Sequence, residues 1–259
     1  MKKQIRKWFL RITATVLLIV TILLVIVLNP GLSYANKTTH HNFKIYHSQP
    51  VEQSFLVHLD EAAALLSTSE YNNPNLELDI CMNDGSKYPW LIGKIGGQAF
   101  ARGFYNKVVM MSRVNSKENY AEINGRKWNL TELLAHEMIH CLQFSHLGFW
   151  HSNPVAKIPN WKWEGYPEYI ARRSTAMSDL SQAITRWVSY NQEQPTSGWM
   201  DLPDGTGEPT AYYKNWLLVK YCMDIKNMSY TELLADNKTE EELWVEMMVW
   251  YQQQQAQNK

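Results

Sequence analysis

The pattern of apolar and polar positions begins with one long apolar run. Residues 12–28 are uncharged and almost wholly aliphatic, and they follow a cluster of basic residues. At about 1.5 Å per helical residue the run reaches about 25 Å, just short of a hydrocarbon core of about 30 Å. Asn29-Pro30-Gly31 ends it, and Ser33-Tyr34-Ala35 then places small residues where a signal peptidase cleaves. We therefore expect residues 1–35 to be a cleaved signal peptide or a retained membrane anchor.

The charge around this run predicts the side on which the rest of the chain works. The first 35 residues contain five basic residues and no acidic one. Positive charge before an apolar segment holds the N-terminus in the cytoplasm and sends the following chain across the membrane. The domain from residue 36 onward is therefore expected outside the cytoplasm, either secreted or anchored by a single N-terminal transmembrane helix.

Between residues 36 and 127 the pattern predicts helix and strand together. Residues 51–69 carry an apolar stripe at helical spacing, which is typical of an amphipathic helix. Residues 76–82 alternate like a strand and end at an Asn-Asp-Gly turn. Residues 99–111 predict another strand, or a hairpin flexed at Gly103.

From residue 129 onward the pattern is helical. The predicted helices lie in 130–145, 164–190, 211–223 and 231–254, and a stretch rich in Gly, Pro and Asp at 194–209 separates the middle two. Strands first and helices later predict an α+β fold. We expect a small N-terminal mixed α/β subdomain with a twisted sheet (36–127) and a mostly helical C-terminal subdomain (128–259). An active-site cleft is expected between them.

Composition narrows the classes of function. The whole chain has no net charge, but past residue 35 it carries 20 basic against 25 acidic residues. A net negative body has no electrostatic means of binding nucleic acid. The three cysteines are too few for a disulfide framework.

The segment that carries recognisable chemistry is a predicted helix that starts at Asn129, which has capping-box spacing to Glu132. His136 and His140 are four residues apart, so both imidazoles lie on one helix face and reach a single ion. Glu137 lies beside them, where a carboxylate can take a proton from a metal-bound water. This is the H-E-x-x-H signature of zinc hydrolases, and it predicts one Zn²⁺.

The competing interpretation is a chance motif on a surface helix. Such a motif arises by accident in about one chain of this size per hundred, given ordinary residue frequencies. Leu133, Leu134, Met138 and Cys141 also make this helix more apolar than a surface helix. Both points favour a metal site.

Catalytic zinc keeps three protein ligands, and two candidates for the third follow the motif. His146 has the spacing of the metzincin pattern, but Gln143 stands where that pattern has its turn-forming glycine. If the helix continues, His146 is carried about 9 Å along and to another face. Glu164 can be presented by a second helix that returns across the first. Glu168, one turn further, is either a solvated charge or an acceptor for a ligand imidazole.

The residues H-E-x-x-H followed by W-x-x-E-G-x-x-E-Y, here Trp161 to Tyr169, resemble the gluzincin metallopeptidases, the clan of thermolysin and aminopeptidase N. The resemblance implies Glu164 as the third zinc ligand. Glu168 is similar in position to the acid that thermolysin-like enzymes carry four residues after that ligand. Pro167 departs from the usual small residue, and it places the start of the second helix close to Glu164, since proline is tolerated in a first turn.

A second resemblance concerns the oxyanion. Aminopeptidase N relatives use the Tyr of Y-x-K-G, and this chain has Tyr212-Tyr213-Lys214-Asn215, which implies Tyr212 as the donor. Tyr212 can equally be an ordinary core aromatic. The G-x-M-E-N element that binds a free amine in aminopeptidases is missing from the sequence, which argues against exopeptidase action. By resemblance, the strand within 99–111 could pair with an extended substrate.

These patterns predict an exported or membrane-anchored zinc metallopeptidase that hydrolyses peptide bonds within a peptide or protein substrate. Zinc is held by His136, His140 and Glu164, with Glu137 and Tyr212 as the catalytic residues. The alternatives are a non-catalytic zinc-containing binding module and a metzincin-like peptidase that uses His146. Other histidines have no partner at ligand spacing and are interpreted as solvated or core residues: His40, His41, His47, His58 and His151.

Overall fold

In the computed structural model the described residues are 2–174 and 179–257. The first helix, α1 (Lys2–Leu28), is longer than the apolar run because it continues back through the basic cluster. Within it, Gln4–Leu28 is long and apolar enough to cross a membrane, by length and composition. A short 3-10 turn at Pro30–Leu32 follows and leads directly into the first strand.

A five-stranded mixed sheet forms the N-terminal half. Its strands are β1 (Asn36–His40), β2 (Phe43–His47), β3 (Leu78–Cys81), β4 (Ala101–Phe104) and β5 (Lys107–Met110). Their spatial order is β1-β2-β3-β5-β4. The central pairs, β2 with β3 and β3 with β5, are parallel, whereas the outer pairs are antiparallel. Strand β4 is therefore an edge strand.

Two smaller sheets complete the strands of the described residues. A meander joins β6 (Arg113–Asn115), β7 (Tyr120–Ile123) and β8 (Arg126–Asn129), and β8 leads straight into the H-E-x-x-H helix. A short hairpin of β9 (Trp199–Asp201) and β10 (Gly207–Pro209) lies inside the stretch that the sequence predicts only as a separator.

The helices of the N-terminal half are α2 (Gln53–Leu66), as predicted for residues 51–69, and α3 (Tyr88–Gly96). The C-terminal half contains α4 (Leu130–Leu147), α5 (Asn160–Ala171), α6 (Leu180–Glu193), α7 (Thr210–Lys220), α8 (Tyr230–Ala235) and α9 (Glu240–Gln257). A π-helical turn at Tyr221–Ile225 extends α7. Mixed sheets together with helices that are concentrated in the C-terminal half confirm the α+β class.

The described structure corrects three sequence predictions about the helices. The helix expected at 164–190 is divided into α5 and α6, and its residues 175–178 lie outside the described residues. Helix α5 begins at Asn160 rather than close to Glu164, so Pro167 lies in its interior. The predicted helix 231–254 is likewise divided, because the chain turns between α8 and α9.

The flexing point expected at Gly103 is also wrong. Gly103 stays within β4 opposite Val108, and the hairpin turns at Tyr105, which has a positive φ of 52°. The glycine is needed for packing instead, because a Cβ there would lie 2.1 Å from the carbonyl oxygen of Glu137 on α4. This close approach sets the edge strand directly against the H-E-x-x-H helix.

One large buried cluster extends from Phe43 in the sheet to Met247 in α9. It includes the apolar side chains of α4, so this helix is covered by its neighbours on nearly every face from Leu130 to Gln143. The candidate site is therefore built on a helix that the core holds rigid.

Candidate metal centre

Helix α4 begins as its capping residues predict. The Asn129 side chain accepts a hydrogen bond from the backbone N–H of Glu132 at 3.2 Å. The helix then runs unbroken through His146, and His136 and His140 lie 3 % and 6 % exposed on the face toward α5. Capping and burial together fix the direction in which both imidazoles project.

Three donor atoms meet between α4 and α5. The Nε2 atoms of His136 and His140 are 3.2 Å apart, and Glu164 Oε2 lies 3.3 Å from each of them. A tetrahedral zinc ion with bonds of 2.0–2.1 Å separates its ligand atoms by about 3.3 Å. The nearly equilateral triangle and its donor set of two imidazoles and one carboxylate therefore fit a zinc ion with one further position open.

Glu137 lies next to this triangle and points along the same cleft. Its carboxylate accepts a hydrogen bond from the backbone N–H of Gly103 on β4. The side chain is thus fixed at the wall of the cleft and lies outside the group of three donors. This is the position that a general base needs.

Charged groups support His136 from behind. Its Nδ1 lies 2.8 Å from Glu168 Oε1, and the other Glu168 oxygen accepts a hydrogen bond from Arg172 Nε at 3.0 Å. Arg172 also forms an ion pair with Glu208 on β10. All of these side chains are at most 3 % exposed, so the imidazole is the outer end of a buried chain of alternating charge. Glu168 is therefore a buried carboxylate paired with His136 rather than a solvated charge.

A neutral group supports His140. Its Nδ1 lies 2.7 Å from Gln143 Oε1, and the Gln143 amide donates to the Trp163 carbonyl and to the Tyr230 hydroxyl. The Trp163 carbonyl would accept from residue 167 in a regular helix, but Pro167 has no N–H. Gln143 supplies the missing donor, which explains how a proline is tolerated inside α5.

The electrostatics of the site follow from this burial. Burial opposes a charge on His136, but the adjacent Glu164 and Glu168 carboxylates outweigh it and raise its pKa well above the usual range. Burial likewise opposes a charge on Glu164, and the two imidazoles outweigh it and lower its pKa. The Glu164 and Glu168 carboxylates therefore favour a positive charge between the two helices, and a bound metal ion would supply one.

Deeper in the network, excess negative charge has the opposite effect. Burial raises the pKa of Glu132 to about 7, and it raises the pKa of Glu208 well above its ordinary value despite the nearby Arg172. One guanidinium faces three buried carboxyl groups there, since Glu168 also contacts it.

Tyr212 lies beside the donor triangle. Its ring is parallel to that of His136, with centroids 5.7 Å apart, and burial together with the nearby Glu164 carboxylate raises the pKa of its hydroxyl well above the usual range. Gly165 makes this close approach possible, because a Cβ there would lie 2.6 Å from the Asn215 carbonyl oxygen of α7. The segments around Glu164 and Tyr212 are far apart in the sequence, and they thus pack directly against each other in the fold.

A cleft of about 520 Å³ opens above these residues. The edge strand β4 forms one wall, and residues from α4, α5 and α7 form the other, including Glu137, His140, Trp163 and Tyr212. Trp163 also covers His140, with nearly parallel rings 5.5 Å apart. The donor atoms of His136, His140 and Glu164 therefore lie at the wall of this cleft.

The structure separates His146 from this centre. Helix α4 continues past it, and its ring stacks on Tyr71 at a centroid distance of 3.9 Å. It does not belong to the group of three whose ligand atoms lie within 4.8 Å of one another. Glu164 takes the third place in the donor set of the described residues.

Two of the histidines that are interpreted as solvated or core residues belong to a second group of possible metal ligands. His40 and His41 at the β1–β2 turn gather with Asp60 on α2, at 2.8 and 3.8 Å from its Oδ1. A turn and a helix separated by 20 residues bring them together, and no spacing rule covers such a pair. The cluster is partly exposed and lies apart from the cleft.

Comparison with known proteins gives no match: no family model matches the chain, and neither a curated protein nor a solved structure matches it. The case for the site therefore depends on its geometry. Five supporting residues were missed by sequence interpretation, namely Gly103, Glu132, Gln143, Arg172 and Glu208. Their spacing is irregular along the chain. The sequence singles out Gly103, Glu132 and Gln143 for other reasons, and it gives no signal for Arg172 or Glu208.

Proposed function

We propose that this chain is an extracytoplasmic zinc-dependent metallopeptidase of the gluzincin type that cleaves within polypeptide chains. The observation that carries the proposal is the triangle of His136, His140 and Glu164 donors, with the Glu137 carboxylate and the Tyr212 hydroxyl beside it in one cleft. A purely structural zinc site would use a fourth protein ligand and has no need of Glu137.

The roles of the residues follow from their positions. When bound, zinc supplies a lowered pKa for a coordinated water and polarisation of the scissile carbonyl. His136, His140 and Glu164 hold the ion. Glu137 takes the proton of the attacking water and delivers it to the leaving amine. Tyr212 donates its hydroxyl to the oxygen on which negative charge develops.

The cleft wall supports cleavage within a chain. Strand β4 is an edge strand, so an extended substrate can add to it by backbone hydrogen bonds. An aminopeptidase needs a further carboxylate for the free amine. Among the described residues that line the cleft, the acidic ones are Glu137 and Glu164, and both already have other roles.

Two substitutions in the full-length protein test the proposal. Glu137→Gln keeps the zinc ligands and removes the base, so we expect one equivalent of zinc and loss of turnover on an unstructured protein substrate. Glu164→Ala removes a ligand, so zinc should be lost as well. Metal analysis and an assay of peptide-bond cleavage measure both.

His146→Ala is the matched control on the same helix. It should keep zinc and activity, whereas loss of zinc would favour the metzincin-like alternative. Full activity of Glu137→Gln would exclude the mechanism. One equivalent of zinc in a wild-type protein without turnover would favour the non-catalytic binding module.

A further inference from the structure

Residues 86–104 form the wall of two neighbouring depressions. Gly96, Arg102 and Phe104 line the candidate metal cleft and also line a second groove that is almost entirely apolar. The remaining residues of this groove come from α3 and from the apolar first helix: Ile92, Ile95, Val20, Leu23, Leu24 and Val27. One layer of protein therefore separates the cleft from α1.

Specific contacts fix α1 against this layer. The Tyr88 hydroxyl of α3 donates to the Val27 carbonyl at 2.6 Å, and the Ser86 hydroxyl donates to the Ser33 carbonyl at 2.8 Å. Tyr34 donates to the Met82 carbonyl at 2.8 Å, and its ring packs near that of Tyr88. The connection between α1 and the sheet is thus part of the folded body, which favours a retained anchor over a cleaved signal peptide.

The depth of the groove follows from the length of α1. Arg11 is the last basic residue before the apolar run. A hydrocarbon core of about 30 Å at 1.5 Å per residue extends from there to about residue 31. Val20 then lies close to the midplane, and Val27 lies about 6 Å inside the outer edge of this core. Ile92 and Phe104 pack in one cluster with Ile26 and Val27, so this end of the groove lies near the outer interface.

The exposed chemistry of residues 86–104 suits that position. Trp90 and Ile95 on α3 are each 63 % exposed, and Ile95 shares the apolar groove with α1. The segment contains Lys87, Lys94 and Arg102 and no acidic residue, although the rest of the exported chain is net negative. Tryptophan favours the membrane interface, and basic residues are attracted to anionic lipid headgroups.

We propose that residues 86–104 lie in the outer interface of the bilayer that α1 spans, so that the cleft is held at the membrane surface and accepts chain segments close to it. The docking stands on the contacts above. The substrate class, membrane-proximal segments of membrane-anchored proteins, rests on the proposed peptidase function.

Labelling in vesicles tests the docking without any activity. The native cysteines Cys81, Cys141 and Cys222 are buried, so a cysteine introduced at the surface can be labelled selectively. Full-length Trp90→Cys and Ile95→Cys proteins are labelled at the new cysteine with an environment-sensitive fluorophore. They are placed in vesicles of phosphatidylcholine with about 30 % phosphatidylglycerol, whose anionic headgroups give the surface a negative potential. Val245→Cys on α9, 62 % exposed in the native chain, is the control.

We expect blue-shifted emission at positions 90 and 95, at least threefold stronger quenching there by lipids with nitroxide-labelled acyl chains than at 245, and a solvent-like signal at 245. If positions 90 and 95 behave like 245, the docking is overturned. The zinc content of each variant, measured in parallel, reports whether the fold is intact.

A spacer series tests the substrate class. A peptide that the detergent-solubilised enzyme cleaves is placed after a single transmembrane helix in the same vesicles, either directly or beyond a long flexible spacer. A cleft at the surface should cleave the short-spacer substrate at least as fast as the long one. A rate at least tenfold slower for the short spacer would overturn the proposed substrate class. Docked labels without cleavage of any peptide would instead contradict the peptidase proposal.

Discussion

The two imidazoles of α4 lie one helical turn apart and point at the same place, yet they are supported by different chemistry. Behind His136 stand Glu168, Arg172 and Glu208, a buried chain of charges. Behind His140 stands the neutral amide of Gln143, which also repairs the gap that Pro167 leaves in α5. Only the support behind His136 consists of charged groups.

The difference teaches that orientation and charge are supplied separately. A carboxylate that accepts from a ligand imidazole fixes its tautomer and raises its basicity, whereas a neutral amide fixes orientation alone. The charged support also joins α4, α5 and the β9–β10 hairpin, since Glu132, Glu168 and Glu208 all face Arg172. Removing parts of each support should therefore have different consequences for stability and for zinc affinity.

The largest effect is expected from Arg172→Met. Arg172 is 3 % exposed and is the cation that the buried carboxylates share. Removing one partner of a buried charge pair costs about 3–5 kcal/mol, because the other charge remains without compensation. The free energy of unfolding from urea titration of the zinc-free protein measures this.

Arg173→Met is the matched control, because Arg173 is the neighbouring residue and is exposed. It should change stability by less than about 1 kcal/mol. The double variant Arg172→Met/Glu208→Gln should recover part of the loss, since it also removes an uncompensated charge. If Arg172→Met is no worse than the control, the charged support does not stabilise the fold.

The second effect is a pH dependence that belongs to Glu132. Burial raises its pKa from 4.5 to about 7, so the folded state holds the proton more tightly than the unfolded state. The resulting stability is complete below about pH 4.5, is lost as the pH rises to about 7, and is level above that. Over this window the loss amounts to at most about 3 kcal/mol.

Glu132→Gln cannot titrate and should lack this dependence. Urea titrations of both zinc-free proteins at a series of pH values give a difference curve in which other groups, including His136, cancel. A wild-type stability that falls relative to the variant between pH 4.5 and 7 is expected. A difference curve that is flat, or that rises, would contradict the raised pKa.

The sequence predicts the residues of the candidate donor triangle better than those that support them. His136, Glu137 and His140 follow from a spacing within one helix, and Glu164 and Tyr212 follow from a motif resemblance. Arg172 and Glu208 lie 36 residues apart, and the β9–β10 hairpin brings them together. The sequence does not predict this hairpin, because its strands lie in a stretch rich in Gly and Pro.

The same limit applies to the fold. The α+β class and helix α2 follow from periodicity, whereas the packing role of Gly103 does not. Its role depends on a contact of β4 with α4, two elements that no local pattern pairs. The start of α5 predicted from Pro167 is wrong. The Trp163 carbonyl that the proline leaves without an N–H donor is satisfied by Gln143, which lies on another helix.

The third prediction compares the two supports directly through zinc affinity. Glu168→Gln keeps the shape of the side chain and removes its charge from behind His136. Loss of such a partner weakens metal binding by about 10–100-fold. Competition with a fluorescent zinc chelator at pH 7.5 measures the affinity, and far-UV circular dichroism confirms that the fold is kept. Unchanged affinity would mean that the Glu168 charge does not reach the ion.

The smallest effect is expected from Gln143→Met on the neutral side. The substitution keeps the side-chain volume and removes the acceptor for His140, and with it one neutral hydrogen bond worth about 1 kcal/mol. Zinc affinity should fall by less than about tenfold, clearly less than in Glu168→Gln. The zinc-free protein should also lose about 1 kcal/mol of stability, because the Trp163 carbonyl is left without its donor. If the same chelator competition gave equal losses of zinc affinity for both variants, the Glu168 charge would add nothing beyond orientation. The contrast between the two histidines would then be one of geometry alone.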